Sequence, residues 1–293
     1  GRRFKTSWGS LGLIAVAGVD NDWHTRSGKQ QQGIVVGGVI SPRTDYDFMS
    51  TQNDAVVNAL LGFGAEWGDH RLNLTNLYVH HTTKEARTRA GNDEVQGAFL
   101  RHDYTEWFER ELINVQLSGQ HTFGPVQLDW RGAYATTSRD SPYEKWISYR
   151  LVEDEFLHNA SSEQNYTRFG QVNDDVLSGG VDIAYTLPAE GRQDTVISAG
   201  LSWMNNERDA EQREFRFLAL DNALPLNVQR ERVDFLFSDV NIGPGMLTLR
   251  ETTGADGAAA YDGELTVRAA YAQIDAEFVP LVRTSIGLRY EDA

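Results

Sequence analysis

Apolar and polar residues alternate with period two along most of the chain. After Phe123-Gly124-Pro125, Val126, Leu128, Trp130, Gly132 and Tyr134 fall on one face, and Gln127, Asp129, Arg131, Ala133 and Ala135 on the other. Bulk apolar groups on one side and charge on the other describe a strand with two different surroundings. Before that turn Ile113, Val115 and Leu117 alternate with Asn114, Gln116 and Ser118, so Glu111–Phe123 and Val126–Ser138 read as a hairpin. The pattern returns at Leu61 to Trp67, at Gly179 to Leu187, at Ile197 to Trp203, at Leu265 to Tyr271 and at Ile286 to Tyr290. Leu11, Leu13, Ala15, Ala17 and Val19 share a face at the start. No long segment has helical period, and about nine strands are predicted.

The connections between these strands alternate strictly in length. Short ones fall around Gly68, Gly124, Gly191 and Pro280, and long polar ones at Asp22–Asp54, Thr83–Tyr104, Arg139–Asp174 and Asn205–Gly263. Compact soluble domains seldom carry several structureless loops of that length. Outer-membrane barrels combine short periplasmic turns with long extracellular loops. The strands have the 9–11 residues that a tilted transmembrane strand needs. Trp67 and Phe123 precede short turns, Tyr185 precedes Pro188, and Trp23 and Trp203 adjoin long connections, an arrangement expected of interfacial aromatic girdles. The same residues also serve as ordinary strand formers in a soluble β-sandwich.

Composition refines this picture. The 293 residues carry a formal charge of −15, which disfavours a nucleic-acid binder that must displace counterions from phosphates. Mean hydropathy is −0.46, a value explained by polar faces and polar connections diluting narrow apolar stripes. Cysteine is absent, so disulfides, thiolate metal sites and Cys nucleophiles are excluded together. The longest apolar run, Leu11–Val19, is about half of a spanning helix.

Several segments resemble the barrel strands of TonB-dependent outer-membrane receptors. They are Trp107-Phe108-Glu109-Arg110-Glu111-Leu112 followed by Gln116-Leu117-Ser118-Gly119-Gln120-His121-Thr122-Phe123-Gly124, and the strand exit Ser138-Arg139-Asp140-Ser141-Pro142-Tyr143-Glu144. Tyr261-Asp262, Ala269-Ala270-Tyr271-Ala272 and Gly287-Leu288-Arg289-Tyr290-Glu291 are similar to the same family. The resemblance covers nearly the whole chain and rests on strand idioms, not on a catalytic signature. It implies an all-β, antiparallel transmembrane β-barrel segment, about nine to ten strands of a 22-stranded barrel. Residues 1–293 are then expected to be an internal part of that barrel, with the N-terminal plug and the C-terminal barrel strands absent.

The function this implies is active uptake of a scarce solute (siderophore, vitamin or oligosaccharide) across the outer membrane of a Gram-negative bacterium. The expected partners are outer-membrane lipid, the solute, and a TonB complex reached through the missing N-terminal part; no nucleic acid and no cofactor are expected. Two alternatives stay open: a passive porin wall, and a soluble secreted glycan-binding or glycan-cleaving β-protein. Aromatic side chains in the long connections are the ligand-binding candidates: Trp146, Tyr149, Tyr166, Phe169 and Phe235. Phe235-Leu236-Phe237 also reads as a short strand. Asp129, Arg131, Asp182 and Arg268 are expected to face the lumen, where they meet water, plug or solute.

No enzyme motif stands out. There is no HExxH, no phosphate-binding glycine loop and no Ser–His–Asp pattern. His80 and His81 are adjacent on a strand and so point to opposite faces, which prevents easy joint chelation. Asp20-Asn21-Asp22 and Asp174-Asp175 lack the spacing of a calcium loop, and no metal site is predicted.

Overall fold

A computed structural model describes residues 1–160, 165–219, 224–243, 246–254, 259–279 and 281–293. It is all-β: one antiparallel sheet of twelve strands. In chain order these are β1 (Arg2–Lys5), β2 (Ser10–Val36), β3 (Val39–Trp67), β4 (His70–Asp93), β5 (Ala98–Phe123), β6 (Val126–Val152), β7 (Glu155–His158), β8 (Tyr166–Leu187), β9 (Thr195–Ala219), β10 (Leu247–Glu251), β11 (Ala260–Val279) and β12 (Val282–Asp292). Nearest neighbours in sequence pair with each other, except that β7 pairs only with β6 and β10 only with β9. Among the described residues the sheet is open, with no pairing between its β1–β2 edge and β12. No helix of the described residues is long and apolar enough to cross a membrane.

Eight of the twelve strands have 20–29 residues, far more than the expected 9–11. Asp22–Asp54, Thr83–Tyr104 and the described part of Arg139–Asp174, read as long polar connections, are mostly strand, whereas the described part of Asn205–Gly263 has strand at both ends, with short helices and β10 between. Asp22–Asp54 is the outer half of the β2–β3 hairpin, which keeps pairing up to Val36↔Val39 and turns at Gly37-Gly38. Thr83–Tyr104 is likewise the outer half of β4–β5, paired as far as Asp93↔Ala98. Polar composition does not stop a ladder, because the backbone hydrogen bonds are indifferent to side chains and polar cross-strand pairs add to them. Thr25 with Thr51, Gln31 with Asp45 and Thr88 with Asp103 are such pairs.

The short turns lie at the opposite end. Gly68 and Gly124 take φ of +52° and +61° there, a conformation open to glycine, with no atom near enough to meet a Cβ. Pro280 lies outside the described residues.

Register fixes which side chains share a face. One face carries a continuous apolar belt next to the short turns. It runs through Leu11–Val19, Val57–Trp67, Leu72–Tyr78, Ile113–Phe123, Val126–Tyr134, Leu177–Leu187, Ile197–Trp203 and Ile286–Tyr290, alternate residues of each belonging to it. Many of these side chains are exposed: Val19, Phe63, Leu117, Ile183, Leu201 and Leu288 all present apolar surface with nothing packed over them. Far from the short turns the belt ends on Tyr78, Tyr134, Trp203 and Tyr290. Two of these aromatic groups donate outward to the first polar positions beyond: Tyr78 Oη to Glu111 at 3.0 Å and Tyr134 Oη to Asp175 at 2.8 Å. At the short-turn end Trp67, His70, His121 and Phe123 form a second aromatic cluster on the same face.

Among the described residues the buried apolar core lies well beyond the belt. Helices α1 (Leu226–Gln229) and α2 (Val233–Leu236) fold onto the outer parts of β6, β9 and β10. Leu224, Val233, Leu236 and Phe237 pack there against Ile147, Tyr149, Phe217 and Leu247.

Candidate functional site

The opposite face of the sheet is polar, and beyond the level of the belt its side chains form three successive cross-strand rows. The outermost is aromatic. Tyr104, Trp146 and Tyr166 are register partners on β5, β6 and β8. Tyr104 meets the Trp146 ring edge-on at 5.3 Å, and Trp146 stacks with Tyr166 at 6.5 Å. Arg87 lies over Tyr104 at 4.7 Å, while Arg89 lies over Tyr46 and Trp146 at 4.6 and 5.0 Å. Beside this row His102 is buried and accepts a hydrogen bond at Nδ1 from Trp146 Nε1–H at 3.2 Å. Burial, then repulsion from Arg89, lowers the His102 pKa to about 3.

The second row is acidic with one cation. Glu85, Glu106, Glu144, Arg168 and Glu214 are successive register partners from β4 to β9. Arg168 donates to Glu214 at 2.6 Å and lies 3.5 Å from Glu144. Burial alone would raise the Glu214 pKa, but hydrogen bonds from Arg168, Thr252 and Arg216 outweigh it and hold the carboxyl below its usual range. Among the described residues Glu106 has only the Tyr104 hydroxyl as a hydrogen-bond partner. Burial outweighs that bond and, with Glu144 and Glu85 beside it, pushes the Glu106 pKa up. Burial and the neighbouring carboxylates likewise push Tyr104 and Tyr166 up, so both hydroxyls stay protonated donors.

The third row is His81, Arg110, Arg139, Val172, Ala210 and Tyr261. Between the second and third rows the β5–β6 ladder shifts register at Trp107/Glu109. Phe108 sits at this bulge, nearly buried. The irregularity leaves a groove of about 290 Å³ bounded by Phe108, Arg139, Glu144, Arg168, Gln212 and Tyr261.

The structure separates the five aromatic residues read as one ligand-binding set. Trp146 and Tyr166 do come together, on strands and not in a loop. Tyr149 lies on the other face, fully buried in the apolar core, with its hydroxyl donating to the Glu231 carbonyl at 2.6 Å. Phe169 is also on that other face, half-exposed, edge-on to Phe215 at 6.2 Å. Phe235 is in α2 and points outward, while its neighbours Leu236 and Phe237 pack inward; the expected strand is a helical turn.

Among the four expected lumen residues, Asp129, Arg131 and Asp182 share the polar face. Arg131 donates to Asp182 at 2.6 Å, and Asp129 is the register partner of Asp182. Gly180 and Gly200 leave room for this pair, since a Cβ at Gly200 would lie 2.2 Å from Asp182 and 2.4 Å from Tyr271. Arg268 does not join them. Its register partners are Trp203 on β9 and Asp292 on β12, which places it on the apolar face, just beyond the aromatic end of the belt. Thr266 and Arg268 look polar and Leu265 and Val267 apolar, which alone points Arg268 to the polar face, but pairing with β9 puts it on the other.

Sequence reasoning missed Phe108, Arg110 and Arg139, which it noted only as strand idioms. Their signal was two arginines with no matching carboxylate on the same face. His80 and His81 project from opposite faces: His80 toward Glu111, and His81 toward Asp54 at 3.2 Å. Among the described residues no group of three or more His, Asp or Glu is arranged to hold a metal ion. Comparison with protein-family models, with curated proteins and with solved structures finds no match to this chain.

Proposed function

We propose that this chain is part of the wall of an outer-membrane active-transport receptor that takes up a scarce solute with energy delivered through TonB. The observation that carries the reading is the exposed apolar belt on one face, edged by aromatic residues at both ends, backed by a polar face. Water makes such a belt costly, at roughly 25 cal/mol for each Å² of apolar surface left exposed, whereas hydrocarbon matches it. Seven of the eight belt segments have about 7–11 residues, which suits a tilted transmembrane strand. In this reading the polar face lines the lumen, the short turns are periplasmic, and the tall hairpins stand outside the cell. Their inner rows of aromatic and charged groups receive the solute, and a plug supplied by another part of the protein controls its passage. Support for a receptor over a passive pore comes from the family resemblance and from the built, laddered wall above the belt.

The 293 residues contain no cysteine, which makes single-cysteine labelling direct. In intact Gram-negative cells expressing the full-length protein, a membrane-impermeant maleimide should label Gly97→Cys and spare Asp69→Cys until the envelope is broken. Equal labelling of both, or recovery of the protein in a soluble fraction, would overturn the membrane reading. Collapse of the inner-membrane proton gradient should stop solute uptake; uptake that continues would mark a passive pore.

A further inference from the structure

We propose that Arg110 and Arg139 form an oxyanion-binding pair, a subsite for a small solute bearing a carboxylate or phosphate. The two are direct register partners on β5 and β6, so their guanidinium groups leave neighbouring backbone positions on the polar face. Both lie over one ring, Arg110 at 4.3 Å and Arg139 at 4.6 Å from the centroid of Phe108. Like charges directly opposite each other in a ladder are destabilising. A stacked aromatic ring offsets part of that and holds both planes in place.

Counter-charge is what this pair lacks. Four other arginines of the polar face are matched, Arg71 with Glu66, Arg131 with Asp182, Arg168 with Glu144 and Glu214, and Arg208 with Asp174, whereas Arg89 rests on the Tyr46 and Trp146 rings instead. Arg110 and Arg139 have no carboxylate partner among the described residues, although the chain carries 42 acidic side chains against 27 basic ones. The acids nearest in sequence are turned away. Glu109 and Glu111 project from the other face, where they accept from Trp107 and Tyr78. On the polar face His81 is engaged with Asp54, and Glu144 with Arg168 and Tyr166.

Guanidinium groups bind carboxylate and phosphate through paired N–H donors. Arg139 lines the groove at the bulge while Arg110 lies outside it; Glu106, Glu144 and Glu211 line it too, with Arg168 engaged by Glu144, and Gln212 and Tyr261 offer contacts for the uncharged remainder of a solute. A lipid phosphate is disfavoured as the occupant, because the apolar belt is on the opposite face of the sheet from this pair. The biological meaning rests on the transport reading above, whereas the binding chemistry does not.

The test is calorimetry on the purified full-length protein in detergent at low salt, with citrate and inorganic phosphate as probes and glucose as a neutral control. Binding of at least one anion is expected, with citrate and phosphate distinguishing the carboxylate from the phosphate form. Affinity should fall by about tenfold or more in Arg110→Gln and in Arg139→Gln. It should survive in Arg213→Gln, whose side chain is on the opposite face of the sheet, paired with Glu251. Arg139→Lys keeps the charge and should bind between the two, which guards against a Gln variant that simply fails to fold. No anion binding by the unaltered protein, or equal binding by the double Gln variant, overturns the subsite. Binding that holds while cells show no uptake would leave the subsite standing and count against the transport reading alone.

Discussion

The ring of Phe237 lies parallel to that of Phe217, with centroids 3.8 Å apart and planes within 1°. This contact joins the residue that follows α2 to the outer part of β9, and with Leu236 and Val233 it anchors the helical segment to the sheet. Phe237→Ala should therefore loosen that segment alone. A Phe→Ala change in a packed core costs about 3–5 kcal/mol. The expected result is faster hydrogen exchange and proteolysis within 224–243, with belt strands unchanged. Global unfolding instead would show that the helices support the whole sheet.

Face identity gives a second prediction. Leu128 belongs to the belt and Gln127 to the polar face, where its amide donates to Asp129 at 2.7 Å. In a bilayer, Leu128→Arg should cost about 2–4 kcal/mol near the midplane and Gln127→Arg far less. Refolding titrations of the full-length protein into lipid vesicles measure both, and equal costs would sink the face assignment.

Two buried histidines predict loss of stability in acid. His102 has its pKa lowered to about 3 and His158 to about 4, in each case chiefly by burial. Both folded values lie below the ordinary one near 6.5, so the unfolded chain binds more protons between the two. Their contribution is complete above about pH 6.5 and is lost as pH falls toward 3–4, by at most about 1.4 kcal/mol per pH unit for each histidine. Denaturant midpoints across that window should drop, and His102→Gln should flatten the slope.

Arg168 predicts a charge effect. It is the main partner of the nearly buried Glu214 and also approaches Glu144. Arg168→Gln strands two carboxylates in the acidic row. The cost should be about 2–3 kcal/mol, below the 3–5 of a fully buried pair because the arginine is about one-third exposed. Adding Glu144→Gln should recover part of it, and a double-mutant cycle measures the coupling.

Much of the belt was legible because period-two alternation survives wherever one side of a strand is apolar. Val126 to Tyr134 and Leu11 to Val19 were read on the side where pairing places them. The outer halves of the hairpins were not legible. In Thr83–Tyr104 both faces are polar, so alternation vanishes although the ladder continues. Arg268 shows the complementary failure, since the polarity of a short strand end does not reveal its face until a neighbour pairs with it. The aromatic candidates divided for the same reason. Trp146 and Tyr149 are three residues apart on one strand, so they must lie on opposite faces, a consequence available only once the segment is known to be strand.

The long pairing of β2 with β3, irregular only at Gln32/Gly33, also has a mechanical side. From Asp20 to Val36 the strand reaches roughly 55 Å, where a flexible tether of the same residues would average about 23 Å. Its tip at Gly37-Gly38 is therefore held at a defined height, and the hairpin acts as a lever. A load applied at the tip arrives at the base as torque, where slack chain would absorb it.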